Sequence, residues 1–331
     1  MKKTKRILSV LLAVLMLAMC FAGCGESPAD NTSSAAKTDG KYKIGICQLV
    51  THDALDAATK GFKDAVIAGL GEENVEFIEQ NAAGDNNTCT TIVNDFVSKD
   101  VDLIMANATG ALQAAYNSTE TIPILGTSVT EYGVALGIDN FTGTVGGNVS
   151  GTSDLAPLDE QAQMIIDLVP TAKTVGLLYC SAEPNSKYQV DEVTKFLTEK
   201  GLTVKEFAFS TSADVAQVAE AAASASDVIY IPTDNTAASC AETINTVVLP
   251  TKTPIIAGES GICKGCGIAT LSISYEDLGK KTGEMAVEIL KDGKDISTMP
   301  IAYSDAPTKK YNPVICEELG ITPPEGYEVL E

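Results

Sequence analysis

The sequence predicts an α/β protein of two doubly wound parallel-sheet lobes, because strand-like apolar runs alternate with helical patterns and the second half repeats the first. Tyr42 to Leu49 is a mostly apolar strand, and Leu55, Ala58, Phe62, Ala65, Val66 and Leu70 then recur at helical spacing. Val75 to Glu79 reads as the next strand and Thr88 to Lys99 as the next helix, with Ile92, Val93, Phe96 and Val97 on one face. Asp102 to Ala106 and Ile122 to Gly126 continue the strands, with a helix between them. The repeat is visible as offsets. Ile44-Gly45-Ile46-Cys47-Gln48 stands opposite Val175-Gly176-Leu177-Leu178-Tyr179 at 131, Asp102-Leu103-Ile104 opposite Asp227-Val228-Ile229 at 125, and Ile122-Pro123-Ile124 opposite Thr253-Pro254-Ile255 at 131.

The amino terminus has a different character. A basic patch, Met1 to Arg6, precedes an apolar run from Ile7 to Ala22, which is shorter than the roughly 20 residues a bilayer-spanning helix needs. This is the pattern of an export signal over residues 1–23. Phe21-Ala22-Gly23-Cys24 resembles a bacterial lipobox, with Phe21 where Leu is usual; small residues before the cut leave Cys24 to be lipidated. Gly25 to Asp39, rich in Ser, Ala, Thr, Asn and Asp without apolar periodicity, reads as a flexible tether, so residues 24–40 link anchor to fold. The expected location is the outer face of the cell membrane.

Loss of residues 1–23 removes Lys2, Lys3, Lys5 and Arg6 and no acid, which takes the net charge from −21 to −25, with 19 basic against 44 acidic side chains. Such a chain is a poor partner for nucleic acid or an anionic membrane. Arg6 is the only arginine, and there is no tryptophan. A ligand carboxylate must therefore rest on backbone N–H groups, hydroxyls, amides or Lys, without a bidentate guanidinium. Seven cysteines follow Cys24, an odd number scattered through apolar segments, which does not suggest a disulfide framework. Cys263-Lys264-Gly265-Cys266 has CxxC spacing, but without a second pair or a nearby His it reads as an unliganded loop pair; no metal or cofactor is expected.

In doubly wound sheets ligands gather at the carboxyl ends of strands, where loops feed helix N-termini. Read in pairs through the repeat, Gln48 matches Tyr179, Thr109 matches Asp234, and Ser128 matches Glu259. All six could face a cleft between the lobes. Equally, Thr109, Ser128 and Asp234 could be helix caps or turn residues.

Lys43-Ile44-Gly45-Ile46 with His52-Asp53-Ala54-Leu55-Asp56, Ile122-Pro123-Ile124 leading to Ser128-Val129-Thr130, Asn148 to Asp154, Ile231-Pro232-Thr233-Asp234-Asn235, and Tyr275-Glu276-Asp277-Leu278-Gly279 together resemble the ABC transporter substrate-binding family that includes the TrpX-like proteins. The resemblance runs from about Lys41 to the segment from Asn312 to Pro323. It implies a type I periplasmic-binding-protein fold, two lobes joined by three crossing strands near Gly151 to Asp154, Leu271 to Tyr275 and Tyr303 to Pro307. The lobes would then be 41–152 with 273–303, and 153–272 with 304–331. Hinges so placed allow closure around a ligand. The resemblance also implies an ABC permease and ATPase as partners, a monomeric receptor, and an aromatic or other apolar amino acid as ligand. On that reading the carboxylate rests near Thr109, Thr127 and Ser128, Asp234 attracts the ammonium, Gln48, Asn107, Asn185 and Asn235 are secondary contacts, and Tyr179 and Tyr188 are candidates for stacking.

Two other readings stay open. A lipoprotein of the same fold could present its ligand to a sensor kinase. An extracytoplasmic hydrolase would need an acid, base or nucleophile set, but His52 is the only histidine and reads as a polar rim residue, and Gly258-Glu259-Ser260-Gly261 lacks the spacing of a nucleophile elbow.

Overall fold

Two sheets repeat one plan in the computed structural model, which describes residues 40–304, 306–323 and 325–330. The segments read in the sequence as an export signal and a tether, Cys24 included, lie outside the described residues up to residue 39. The first lobe runs β1 (Tyr42–Gln48), α1 (Asp53–Leu70), β2 (Val75–Asn81), α2 (Asn86–Ser98), β3 (Leu103–Asn107), α3 (Thr109–Ser118), β4 (Ile124–Val129), α4 (Tyr132–Leu136) and β5 (Val149–Ser153). The second runs α5 (Leu158–Leu168), β6 (Thr174–Cys180), α6 (Pro184–Glu199), β7 (Thr203–Phe209), α7 (Val215–Ala225), β8 (Val228–Ile231), α8 (Asn235–Ser239), α9 (Ala241–Val248), β9 (Ile255–Ala257), α10 (Ser260–Cys266) and β10 (Ala269–Ser272). Strand order is 2-1-3-4-5 in one sheet and 7-6-8-9-10 in the other, and these strands pair in parallel throughout.

The chain changes sheets three times. It leaves β5 for α5 through residues 154–157, returns from β10 through Ile273 and Ser274 into α11 (Tyr275–Leu290), and after β11 (Ala302–Tyr303) enters the second sheet as β12 (Thr308–Tyr311), followed by α12 (Pro313–Leu319) and β13 (Glu328–Val329). The direction of the added strands follows from these passages. β11 comes from the far end of the first lobe and so runs parallel to β5. β12 enters beside the carboxyl end of β10 and must run antiparallel to it, so the second sheet is not wholly parallel.

Several strands continue past the point where their apolar pattern stops. β2 reaches Asn81, β3 Asn107 and β4 Val129, because ladder hydrogen bonds are indifferent to the side chain they carry. β4 is irregular against β5 between Gly126 and Val129, with Ser128 at a left-handed φ of 53°.

Each sheet is buried on both faces. In the first lobe Ile44, Ile46, Leu103 and Met105 pack with Phe62 and Val66 of α1 and with Met285 and Ile289 of α11. Cys47, Ile104 and Ala106 point the other way, toward Ile92 and Phe96 of α2. Full burial of one such Ile, Leu or Phe contributes roughly 1.5–3 kcal/mol. Helix α11 meets α1 at glycines: a Cβ on Gly279 would lie 2.0 Å from Ala58 O, and one on Gly61 would lie 2.0 Å from Glu276 O. Buried hydroxyls tie the same helix to the sheet, Thr127 Oγ1 to Thr152 Oγ1 at 3.2 Å and Thr152 Oγ1 to Thr282 Oγ1 at 2.8 Å.

The cysteines from Cys47 to Cys316 are free thiols. Cys263 and Cys266 sit in helix α10, not in a loop, and burial pushes both thiols up. Their sulfurs contact backbone carbonyls, which makes them small core residues.

Candidate functional site

The carboxyl ends of both parallel sheets meet between the lobes, and the loops following β1 and β8 touch there: His52 Nε2 lies 3.3 Å from Asn235 Oδ1. At the rim Lys264 pairs with Asp53 at 3.6 Å, an exposed contact. Among the cavities bounded by both lobes is one of about 190 Å³. Leu49, Val50, Ala83 and Asn86 form its wall in the first lobe, and Cys180, Glu183, Ser210, Asn235 and Thr236 face them from the second.

Gln48 and Asn107 turn away from this space. Gln48 donates to Val50 O at 2.9 Å and to Asp56 Oδ1 at 2.6 Å and accepts from Thr59 Oγ1 at 2.7 Å. Asn107 donates to Leu55 O and Thr59 Oγ1, both at 2.9 Å. These amides hold the start of α1 against the sheet. Thr127 belongs to the hydroxyl chain toward α11 described above. Tyr179 is a core residue whose hydroxyl donates to Glu206 at 2.7 Å. Tyr188, half-buried on α6, lines a groove with Leu155 and Pro157 of the first linker.

Asp234 is hydrogen-bonded within its own lobe. Its Oδ2 accepts from Cys180 N at 2.6 Å and its Oδ1 from Ala237 N at 2.7 Å, so it caps α8 and braces the end of β6. Burial, and then the nearby Glu183, push its carboxyl up. Glu259 likewise caps α10, accepting from Gly261 N at 2.6 Å and from Ile262 N, and burial raises it. The pairing of stations read from the repeat therefore shifts. Ala108, at φ 86°, is the N-cap residue of α3, which makes it and not Thr109 the counterpart of Asp234. Glu131 caps α4 and is the counterpart of Glu259, displaced from Ser128 by the irregular end of β4.

Asn185 and Asn235 are gathered by a residue outside the expected set, Glu183. One oxygen of Glu183 accepts from Asn235 N at 3.0 Å, Asn235 Nδ2 at 2.7 Å and Asn185 Nδ2 at 3.1 Å; the other accepts from Thr236 N at 2.8 Å and Thr236 Oγ1 at 2.7 Å. The offset of 131 that pairs Gln48 with Tyr179 also pairs His52 with Glu183, which is the signal that could have found it.

A second unexpected residue is Asp154 in the first linker. Its backbone N–H donates to Val129 O at 3.3 Å, and its Oδ2 accepts from Tyr275 Oη at 2.9 Å, across to the second linker. Burial pushes its carboxyl up to about 6 against the hydrogen bond from Tyr275. Both residues stood in the segments that carry the resemblance, where they read as crossings only. Strand order sets the site out in a line from hinge to mouth: Asp154 beyond β5, Ser128 on β4, Thr109 beyond β3, then Leu49 and Ala83 beyond β1 and β2. Ala108 and Ser128 are non-glycine residues at positive φ on this line, a conformation that persists where surroundings enforce it and that clusters at ligand sites.

Among the described residues no cluster of His, Cys, Asp and Glu could hold a metal ion, and no helix is long and apolar enough to cross a membrane.

Comparison with known proteins agrees with this geometry. The chain is 39% identical over 310 residues to the tyrosine-binding protein of Clostridioides difficile strain R20291, covering 92% of this chain and 89% of that one. It superposes with a TM-score of 0.83 on an ABC domain from Streptococcus pneumoniae in complex with L-Trp, at 33% identity, over 88% of this chain and all of the other. On the ligand-free, open structure of a substrate-binding protein with adhesive properties from Clostridium difficile the TM-score is 0.67 at 40% identity, over 88% and 99% of the two chains. These relatives are substrate-binding proteins, not enzymes. With the profile described as ABC transporter substrate binding protein matching residues 43–330, two lobes of type I periplasmic-binding topology and a polar cleft between them, the chain belongs to the ABC transporter substrate-binding protein family.

Proposed function

We propose that this chain is the extracytoplasmic, lipid-anchored receptor of an ABC importer, and that it closes on a free aromatic amino acid and delivers it to the permease and its ATPase. The observation that carries the reading is the cavity of about 190 Å³ bounded by strand ends of both lobes. A cavity of about 150 Å³ holds benzene, so this space is on the scale of one amino acid and too small for an oligosaccharide. The lobe arrangement supports it as well: the fit is better to the Trp complex than to the more identical open structure, as expected of closed lobes.

The ligand carboxylate rests on the first turn of α3, where the N–H groups of Thr109, Gly110 and Ala111 have no acceptor within the helix. Ser128 Oγ, buried and without a partner among the described residues, joins them. This arrangement suits a chain whose exported part has no arginine. The aromatic side chain points toward the cavity between Leu49 and Ser210. Cys24 supplies the anchor and residues 25–40 the reach that lets the lobes meet the permease.

Thermal unfolding of the mature protein with L-Trp, L-Tyr, L-Phe, L-Leu and neutral sugars tests the reading. A ligand at 100 times its dissociation constant stabilises the native state by about 2.7 kcal/mol. The aromatic amino acids should raise the melting temperature and the sugars should not. Stabilisation by sugars alone would overturn the assignment. Bound L-Trp is also visible directly, since the protein has no tryptophan emission of its own.

A further inference from the structure

Four acids are buried where the lobes meet, and three of them are already fully engaged. Asp234 and Glu259 each accept backbone N–H groups on both oxygens, and Glu183 accepts donors on both of its oxygens. Asp154 differs. Its Oδ2 accepts from Tyr275, while its Oδ1 has no partner among the described residues, although the residue is only 4% exposed. Thr130 lies close enough to favour the ionised form but makes no hydrogen bond to Oδ1.

A buried carboxylate oxygen without a donor is costly unless a cation or donor reaches it. The charged and titratable groups around it do not include one: Glu259, Tyr275 and Tyr132 face Asp154, and beyond Glu259 stand His52 and Asp53. A second orphan lies beside it along the cleft, Ser128 Oγ at the irregular end of β4, next to the Val129 carbonyl that accepts from Asp154 N. Two unpaired polar groups on adjacent strand ends, one acidic and one neutral, match the ammonium and carboxylate carried by a single α-carbon.

We propose that Asp154, held by Tyr275 at the junction of the first two linkers, is the ion-pair partner of the ligand's α-ammonium. The assignment rests on the amino-acid reading above, and it places the charge-recognising group on the hinge itself, so that one contact both selects a primary ammonium and holds the lobes together. Asp154 is then the specificity residue that excludes arylpropionates of the same shape, and Tyr275 is a positioning residue.

The test compares the wild type with Asp154→Asn and Tyr275→Phe in titration calorimetry and thermal shift. The probes are L-Trp, L-Tyr, the matching acids without the ammonium (indole-3-propionate, 4-hydroxyphenylpropionate), the matching amines (tryptamine, tyramine) and uncharged sugars and nucleosides. The expected result is loss of amino-acid affinity by about 100-fold in Asp154→Asn together with a gain in affinity for the propionates, which also shows that the variant is folded. Tyr275→Phe should lose a smaller factor, about 5-fold. Wild-type affinity for the amino acid should fall about tenfold per pH unit below pH 6, a dependence that Asp154→Asn abolishes and His52→Gln retains. Equal amino-acid affinity in the wild type and Asp154→Asn would overturn the proposal while leaving the aromatic reading in place. Tight binding of a non-aromatic amine or amino acid, lost in Asp154→Asn, would sink the aromatic reading and keep the ammonium site. Binding only of uncharged or anionic compounds, or of no probe, would overturn both.

Discussion

Replacing Asp154 by Asn should make the ligand-free protein more stable at neutral pH, although it removes a hydrogen-bonded acid from the interior. In the native state the carboxyl is pushed up to about 6 from the ordinary value of 3.8. At about 1.36 kcal/mol per unit, ionising it there costs about 3 kcal/mol relative to the unfolded chain. Because the native state holds the proton more tightly, the stabilising contribution is full below pH 3.8 and is lost as pH rises through 6. Asn keeps an acceptor for Tyr275 but brings an unpaired amide, a penalty of about 1–3 kcal/mol that offsets part of the gain. The expected net gain at pH 7.5 is therefore about 0–2 kcal/mol, or up to a few degrees in melting temperature. Urea unfolding of the ligand-free proteins at pH 7.5, 6 and 4.5 measures it. The advantage of Asp154→Asn should shrink as pH falls through 6 and reverse near 4.5. A variant less stable than the wild type at pH 7.5, or a difference independent of pH, would refute the electrostatic reasoning.

Other consequences are as direct. Gly151, at φ 147°, would place a Cβ 2.1 Å from Gly126 O and 2.4 Å from Tyr132 Oη, so Gly151→Ala should lose more than about 3 kcal/mol in denaturant unfolding. Glu183→Ala leaves the donors of Asn235, Thr236 and Asn185 without their acceptor and should cost about 3–5 kcal/mol, whereas Lys264→Ala removes an exposed ion pair and should change stability by less than about 1 kcal/mol in the same assay. In cells, Cys24→Ala should shift the protein from the membrane fraction to the medium or periplasm, read by immunoblot after fractionation.

The alternation of apolar runs makes both sheets legible in the sequence, and the offsets near 131 make the duplication legible too, because a parallel sheet buried on both faces writes itself as apolar strands. The roles of individual polar residues were not legible in the same way. In sequence Asp234 and Glu259 both fit ligand acids and Asp234 fits a helix cap as well; the distances to Ala237 N and Gly261 N show that both are caps. Asp154 is the reverse case: it follows a run of small residues and reads only as part of a crossing between lobes, and its unpaired oxygen depends on what Tyr275, 121 residues away, does with the other one. Pairing residues by offset also fails wherever one copy gains an irregularity, as β4 does before Glu131.

The glycine contacts between α1 and α11 bear on how this architecture can be divided. Gly61 and Gly279 let two backbones approach to a distance that any side chain would forbid, so the helix arriving late in the chain is fitted into a slot prepared by the earliest one. A gene cut after residue 152 would encode a first half with that slot uncovered and its sheet missing a strand. The first half cut in this way cannot complete its own core, since the helix that covers α1 and the strand that borders β5 both come from the far end of the chain.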